Sequence, residues 1–175
     1  RRAQFNALDQ TAGDGDFGDN LLSGVSKAVL RSAPDGGLGV DVRLLASAYL
    51  DDVGGSSGPL LGLILGAVAT RIDGVAAAQL PAALLAGLSD ALTAVQRAGG
   101  AQRGDRTLVD TLAGIVDDTA SRGQGALDEG AVRSAIAAAD STRDMVARRG
   151  RAAYVGERAL GSPDPGAVAV AWLTV

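Results

Sequence analysis

The sequence predicts an all-α protein, an up-and-down barrel or bundle of about eight antiparallel helices. Aromatic residues make up only 3% of the 175 residues, which disfavours a β-sandwich. Apolar residues instead recur at the helical period, in segments rich in Ala and Leu. Short connections between such segments favour antiparallel neighbours. Since 47% of the residues are hydrophobic, residues 1–175 suffice for a single domain with one sizeable core.

Eight amphipathic segments account for most of the chain, separated by stretches rich in glycine and proline. The predicted helices span residues 1–11, 18–32, 40–52, 58–72, 79–98, 105–122, 129–149 and 165–175. Pro34–Gly39 and Gly99–Gly104 are predicted loops. Because the chain begins at Arg1 inside a predicted helix, we expect the N-terminal helix to be truncated, and a lost targeting signal stays open.

Composition excludes several classes of function. The chain has no cysteine and no histidine, which rules out disulfides, thiolate or imidazole metal sites and a Ser-His-Asp triad. Its net charge of −4 disfavours nucleic-acid binding, which requires a cationic surface. The longest apolar run, Leu60–Ala69, is half of the roughly 20 residues that a membrane span needs, and predicts a buried helix. Any bound metal must therefore have oxygen ligands, which suits Mg²⁺, Mn²⁺ or Ca²⁺.

Glycine is the most informative residue type, with 25 of 175 positions. Four clusters stand directly before predicted helices, at Gly13–Gly18, Gly54–Gly58, Gly99–Gly104 and Gly161–Gly166. Glycines before a helix leave backbone N–H groups free to point at an anion, and the helix dipole adds attraction. We expect the four loops to form one shared binding rim.

The segment LDQTAGDGDFGDN at residues 8–20 carries the strongest chemical signal. Asp9 ends a predicted helix, and Asp14 and Asp16 follow in a glycine-rich turn that can aim all three carboxylates at one point. Such a set fits Mg²⁺ beside phosphate oxygens. An EF-hand is excluded, because Asp19 stands where that loop needs Gly and Val25 where it needs Glu. A solvated acidic turn with Asp as a helix cap is the alternative.

Four further segments are candidates for phosphate or nucleotide contacts. In VGGSSGPL, Ser56 or Ser57 is expected to cap a helix, and the missing Lys excludes a P-loop. In GSPDPGA, Asp164 is the expected N-cap and Pro165 the first helical residue. Arg151 is a candidate cationic hydrogen-bond donor to a phosphate group. Leu108 is a candidate apolar lid over a nucleotide base. Taken singly, the three loop segments are better explained by capped helices, and Arg151 is equally well explained by a helix-end or surface ion pair.

In order along the chain, LDQTAGDGDFGDN, GGSSGPLLG, GDRTLVDTL and GRAAYVGERALGSPDPGA resemble the dihydroxyacetone kinase L family. This family comprises the nucleotide-binding L subunit and the equivalent C-terminal domain of single-chain kinases, and the resemblance covers nearly the whole chain. It implies a cytoplasmic barrel of eight antiparallel helices with ADP or ATP bound at one end.

The resemblance also implies a set of site residues. The aspartates matching Asp9, Asp14 and Asp16 hold two Mg²⁺ ions that bridge the nucleotide phosphates. The matching nucleotide-binding positions are Phe17, Gly18, Asp19, Asn20, Ser56, Ser57, Gly99, Leu108, Arg151, Asp164, Pro165 and Gly166. Two positions depart from the family pattern, since Phe17 and Ser162 stand where histidine is usual or frequent. Neither is a metal ligand, so Mg²⁺ binding is expected to survive.

The resemblance implies half of a kinase that works in two parts. The sugar is held on a separate K subunit through a histidine that this chain lacks, while the L half presents the phosphoryl group. ADP is rephosphorylated by an M subunit of the phosphotransferase system in one branch, and ATP exchanges directly in the other. A variant acting on another small keto-sugar such as an erythrulose stays open. So do a nucleotide-binding regulator without kinase turnover and an L-like domain of a fatty-acid kinase.

Overall fold

The computed structural model describes residues 1–32 and 36–175, which form helices joined by turns, with no strand in those ranges. The helices are α1 (Arg2–Gln10), α2 (Phe17–Arg31), α3 (Gly37–Asp52), α4 (Ser57–Ile72), α5 (Leu80–Gly99), α6 (Leu108–Ser121), α7 (Glu129–Ser141), α8 (Ala152–Val155) and α9 (Pro165–Trp172). Short 3₁₀ turns precede α5 and follow α7 and α8. The predicted all-α class is confirmed.

The helices close into a ring around one apolar core. Each of α1 to α6 packs against the next helix in the chain, and α9 packs against both α6 and α1. Phe5 of α1 makes this last junction, with its ring centroid 6.5 Å from that of Trp172 and 5.8 Å from that of Phe17. The side chains of Ile64, Leu112 and Val170 fill the centre with no exposed surface.

Glycines inside the helices have a packing role, because they lie where two helices approach closely. A Cβ added at Gly24 of α2 would lie 2.6 Å from two ring carbons of Tyr49, and one added at Gly87 of α5 would lie 2.7 Å from the Cα of Val68. Tyr49 is itself fixed, since its hydroxyl donates to the carbonyl of Leu21 at 2.8 Å. These contacts offset the cost that glycine imposes on a helix.

We expect Gly24→Ala to destabilise the fold by about 1–3 kcal/mol, because the buried Tyr49 ring leaves no room for a methyl group. Gly66→Ala in α4 is the matched control, since the nearest atom to its added Cβ is 3.9 Å away. That change should stabilise the protein by roughly 0.5–1 kcal/mol through helix propensity. Urea unfolding measures both, and equal effects of the same sign would contradict this packing.

Three predicted boundaries differ from the structure, two because of contacts made elsewhere in the chain and one because of a local capping box. The helix predicted at 165–175 also ends earlier, at Trp172. The helix predicted at 129–149 ends at Ser141, after which the chain turns and the N–H of Arg148 bonds the carbonyl of Asp105 at 3.1 Å. The helix predicted at 105–122 begins at Leu108, where Thr107 and Asp110 form a capping box.

The third boundary is that between the predicted loop Pro34–Gly39 and the helix predicted from residue 40. Its residues 34 and 35 lie outside the described part of the chain, and Gly37–Gly39 already belong to α3. An added Cβ at Gly39 would lie 2.8 Å from the Cα of Asp73. This close packing favours helix where propensity alone would not.

The run Leu60–Ala69 lies in α4, and most of its residues are buried, as predicted. Within the described residues, Ala77–Gly99 is long and apolar enough to cross a membrane by length and composition alone. This segment contains α5, which packs against α4 and α6 and buries Leu88, Ala91 and Val95. Core helices pass the same test, and the expected absence of a membrane span stays a prediction.

Candidate functional site

Asp9 organises the acidic loop between α1 and α2. One of its carboxylate oxygens accepts hydrogen bonds from the backbone N–H groups of Gly15, Asp16 and Phe17, at 2.9, 3.1 and 3.3 Å. Gly15 makes the turn possible, because its φ of 81° lies in the left-handed region. The loop therefore wraps around a carboxylate that is only 8% exposed.

The wrapped loop brings three acidic groups together. One carboxylate oxygen from each of Asp9, Asp14 and Asp16 lies within 4.8 Å of the others. Burial raises the pKa of Asp9, with a smaller contribution from the charge of Asp14, although the three amides act in the opposite direction. This concentration of negative charge is the arrangement that a divalent cation neutralises.

Arg151 supplies the nearest positive charge. Its guanidinium pairs with Asp14 and lies 3.9 Å from a carboxylate oxygen of Asp16. Desolvation acts to raise the pKa of Asp14, but hydrogen bonds from its own backbone N–H and from Arg151 outweigh it, so this pKa lies below its ordinary value. Arg151 therefore lies in the cleft wall in direct contact with the acidic cluster.

Three of the four glycine clusters contribute wall residues to one cleft, at the starts of α2, α4 and α9. The cluster Gly99–Gly104 supplies none, and Arg106, Thr107 and Leu108 complete the wall at the start of α6. The lining residues are Asp9, Ala12, Asp16, Phe17, Ser56, Ser57, Leu60, Arg106, Thr107, Leu108, Arg149, Gly150, Arg151, Ala152, Asp164, Pro165 and Gly166. Four helix N-termini therefore surround the cleft beside the carboxylates, which favours a ligand carrying phosphate.

The serines before α4 differ from their predicted role. Ser56 occupies the N-cap position, but its side chain makes no capping hydrogen bond. Gly55 makes the turn before α4, because its φ of 76° lies in the left-handed region that glycine adopts readily. Both Ser56 and Ser57 line the cleft, at the N-terminal end of α4.

Asp164 caps α9 as predicted, with Pro165 as the first helical residue. Its carboxylate accepts from the N–H of Ala167 at 2.8 Å, and its own N–H donates to Thr142 at 2.8 Å. Burial raises the pKa of Asp164 to about 6, while the amide of Ala167 and the charge of Arg106 act in the opposite direction. The cap is thus a carboxylate that titrates near neutral pH.

Four predicted nucleotide contacts do not line the cleft. Gly18 packs against the backbone of Arg2, and Asp19 pairs with Arg2 and Asn6 on α1. Asn20 and Gly99 do not line the cleft themselves but lie against residues that do. The amide of Asn20 donates to Asp16 at 2.9 Å, and an added Cβ at Gly99 would lie 3.7 Å from Leu60. Direct contacts from these four stay predictions.

Phe17 and Ser162, the two departures from the family pattern, have clear positions. Phe17 is 8% exposed, lines the cleft with part of its ring and packs against Phe5. Ser162 contributes its carbonyl, which accepts from Arg106 at 2.8 Å. Neither side chain is among the three clustered carboxylates.

Seven wall residues were not predicted from the sequence: Ala12, Leu60, Arg106, Thr107, Arg149, Gly150 and Ala152. Leu60 follows the serine loop by three positions, and helical spacing was a usable signal for it. Arg149 lies 3.9 Å from Asp105, and its guanidinium adjoins Gly100. Arg106 is completely buried, which nothing in its neighbouring sequence indicated.

Comparison with known proteins agrees with this architecture. The L-erythrulose 1-kinase of Mycolicibacterium smegmatis is 38% identical over 98% of this chain and 31% of its own length. The triokinase/FMN cyclase of Rattus norvegicus is 41% identical over 95% of this chain and 30% of its own length. The chain thus spans about a third of these relatives.

A relative of similar length also matches. The ADP-binding subunit DhaL of the PEP-dependent dihydroxyacetone kinase of Escherichia coli is 34% identical over 97% of this chain and 83% of its own length. The crystal structure of the dihydroxyacetone kinase of C. freundii, native form, has a TM-score of 0.68 and 26% identity over 99% of this chain and 30% of that one. The same kinase in complex with AMP-PNP and Mg²⁺ gives a TM-score of 0.67.

The DAK2 domain family matches residues 11–174, a range that contains Asp14, Asp16 and all four glycine-rich loops. Together with the match to the E. coli subunit over most of both chains, this shows the family. The chain belongs to the DAK2 domain family, with the ADP-binding L subunits of dihydroxyacetone kinases.

Proposed function

We propose that this chain is the Mg²⁺–nucleotide-binding part of a kinase for dihydroxyacetone or a similar small keto-sugar. It binds ADP or ATP and presents the phosphoryl group to a substrate held on a separate K-type subunit. The observation that carries the proposal is the meeting of Asp9, Asp14 and Asp16 beside a cleft lined by the N-terminal ends of α2, α4, α6 and α9.

The donor set fits magnesium. Mg²⁺ prefers carboxylate oxygens from one or two residues together with water and phosphate oxygens. Asp14 and Asp16 lie half-exposed on the cleft side, while Asp9 is nearly buried and fixed by three amides. We assign two Mg²⁺ ions to these three aspartates. Bound there, Mg²⁺ neutralises charge on the phosphates and so assists transfer of the terminal phosphoryl group.

Different residues of the cleft bind the phosphates and the base of the nucleotide. Ser56 and Ser57, at the start of α4, donate to phosphate oxygens, and Arg151 adds a cationic donor next to the acidic cluster. Leu108 and Leu60 provide an apolar wall for the base, near Gly99. Asp164, Pro165 and Gly166 complete the pocket at the start of α9. Phe17, Gly18, Asp19 and Asn20 support the phosphate side from α2.

Activation of the accepting hydroxyl falls to the partner. The chain has no histidine, and the carboxylates of the acidic cluster serve the metal. Its own contribution is to orient the phosphates and to neutralise their charge, which suits a reaction that depends mainly on positioning. A cytoplasmic K-type subunit therefore supplies both the sugar site and the base.

The phosphoryl donor distinguishes two forms of this proposal. The E. coli relative is named for a PEP-dependent kinase, which favours ADP that stays bound and is rephosphorylated by an M-type subunit. The relatives named L-erythrulose 1-kinase and triokinase/FMN cyclase favour exchange of ATP. The name of the first relative makes L-erythrulose a candidate sugar for the kinase to which this chain would belong. We take ATP exchange as the working form, because those relatives are 38–41% identical and the E. coli subunit 34%.

Reconstitution tests the proposal. The purified chain is mixed with the K-type subunit of a dihydroxyacetone kinase, Mg²⁺, ATP and either dihydroxyacetone or L-erythrulose, and sugar phosphate is measured. Formation of sugar phosphate that requires both proteins supports a kinase part. Tight nucleotide binding without any phosphate transfer, with several K-type subunits, would instead favour the nucleotide-binding regulator.

A further inference from the structure

Arg106 is the most unusual buried residue in the described part of the chain. It has no exposed surface, and it is the one non-glycine residue there with a left-handed backbone, at a φ of 62°. Its Nε and Nη1 have no hydrogen-bond partner within the described ranges. Burial of a charged group with unsatisfied donors and a left-handed backbone both cost stability. An apolar residue would avoid the first of these costs, so the role of an arginine at this position lies in the hydrogen bonds that it makes.

Those contacts reach one distant loop. Nη2 of Arg106 donates to the carbonyls of Ala159 and Ser162, at 2.9 and 2.8 Å, across 53 and 56 residues of sequence. The same loop is held from its other side, where the N–H of Gly161 donates to the carbonyl of Arg143 and that of Asp164 to Thr142. The guanidinium thus fixes the segment that leads into α9.

This segment ends at Asp164, the cap of α9. Two charged side chains face its carboxylate: Arg106 from the loop before α6, and Asp110 from the first turn of α6. Thr142, at the end of α7, contributes only a hydroxyl. The positive charge of Arg106 therefore favours ionisation of a carboxylate whose charged form burial and Asp110 both disfavour.

We infer that Arg106 is a positioning residue of the nucleotide site, which fixes residues 159–164 from behind the cleft and so holds Asp164 in place at the start of α9. This inference rests on the proposed function, because Asp164, Pro165 and Gly166 are the nucleotide contacts that it positions. Arg106 lies against the cleft but has no exposed surface, so it acts on the nucleotide through the segment that it holds and not by direct contact.

Two variants separate the charge of Arg106 from its hydrogen bonds. Arg106→Asn removes the charge, and Asn tolerates the left-handed backbone well. Arg106→Lys keeps the charge but cannot donate in the same fork to two carbonyls. Arg133→Asn on α7 is the control, because Arg133 is exposed and lies outside the cleft.

The first measurement is the affinity for Mg²⁺–ADP by calorimetry at pH 7.5. We expect Arg106→Asn to bind about tenfold more weakly than the wild type, the scale on which supporting residues behind a site affect affinity. Arg106→Lys should fall between the two, and Arg133→Asn should match the wild type. An Arg106→Asn variant that folds and binds ADP as tightly as the wild type overturns the inference.

The second measurement is the pH profile of unfolding by urea without nucleotide, which a purely steric role would not change. Because the folded pKa of Asp164 is about 6 and thus above its unfolded value, its ionisation lowers stability as pH rises from about 4 to about 6. Loss of the Arg106 charge raises this pKa further, so in Arg106→Asn the decline should continue above pH 6. Arg106→Lys should restore the wild-type profile.

The outcomes distinguish failure of the proposed nucleotide-binding function from failure of the positioning role of Arg106. If the wild type itself does not bind Mg²⁺–ADP, the proposed function is wrong and the inference falls with it. If the wild type binds and Arg106→Asn retains both its affinity and its pH profile, only the inference is wrong. Should Arg106→Asn fail to fold, Arg106→Lys decides, because weaker ADP binding with an unchanged pH profile supports the positioning role and wild-type binding contradicts it.

Discussion

Asp16→Asn is expected to abolish Mg²⁺-dependent binding of ADP while leaving the helical fold intact. Loss of even an outer partner of a metal ligand costs about 10- to 100-fold in affinity, so loss of a ligand should cost at least as much. The fold should survive because Asp16 is half-exposed and makes no capping hydrogen bond at the start of α2. Asn also keeps an oxygen that can accept from Asn20, as Asp16 does at 2.9 Å.

Asp16 is a better probe than Asp9, whose carboxylate holds three backbone amides and whose loss would also disturb the loop. The control is Asp90→Asn on α5, which removes a carboxylate from an exposed ion pair with Arg71. Calorimetry measures binding, and far-UV circular dichroism measures helicity. If Asp16→Asn bound ADP tightly and still required Mg²⁺, the metal assignment would be wrong.

The second large effect concerns the isolated chain, which should not phosphorylate dihydroxyacetone at a measurable rate. A second protein must supply the sugar site and the base that accepts the hydroxyl proton, because the chain has no histidine and its clustered carboxylates serve the metal. Addition of a K-type subunit should therefore raise turnover from background to a rate of the order of 1–100 s⁻¹, the range usual for kinases.

The assay follows dihydroxyacetone phosphate with saturating Mg²⁺–ATP, with the chain alone, the K-type subunit alone and both together. Asp16→Asn combined with the K-type subunit is the matched control, and it should remain at background. Robust turnover by the wild-type chain alone would refute the division of the site between two proteins, even if nucleotide binding were confirmed.

The acidic loop was predictable because its chemistry is local. Asp9, Asp14 and Asp16 lie within eight positions, and glycines between them permit a tight turn, so spacing alone brought the carboxylates together. The cap at Asp164 was predictable for the same reason, since the Asp-Pro pair marks the start of a helix in the sequence itself. The shared cleft followed from the position of three glycine clusters before helices that are not neighbours in the chain, since every second helix of an up-and-down bundle begins at the same end.

Features that depend on distant contacts were not predictable. Arg106 looks like an ordinary residue of a polar loop, and its burial arises from carbonyls more than 50 residues away. The early end of α7 depends likewise on the bond from Arg148 to Asp105.

The serine loop differs from its prediction for a local reason. Ser56 has the sequence of a helix cap, yet Gly55 makes the turn and the serine side chain is not used in the cap.

Calorimetric titration of the nucleotide-free wild-type chain with ADP and ATP, with and without Mg²⁺, tests the central claim most directly. We predict binding of both nucleotides that depends strongly on Mg²⁺, because three clustered carboxylates repel the phosphates until the metal neutralises them. ADP that copurifies and resists removal would favour the form with an M-type subunit. Absence of binding, or binding that is equally tight without Mg²⁺, would contradict the assignment of this cleft as a metal–nucleotide site.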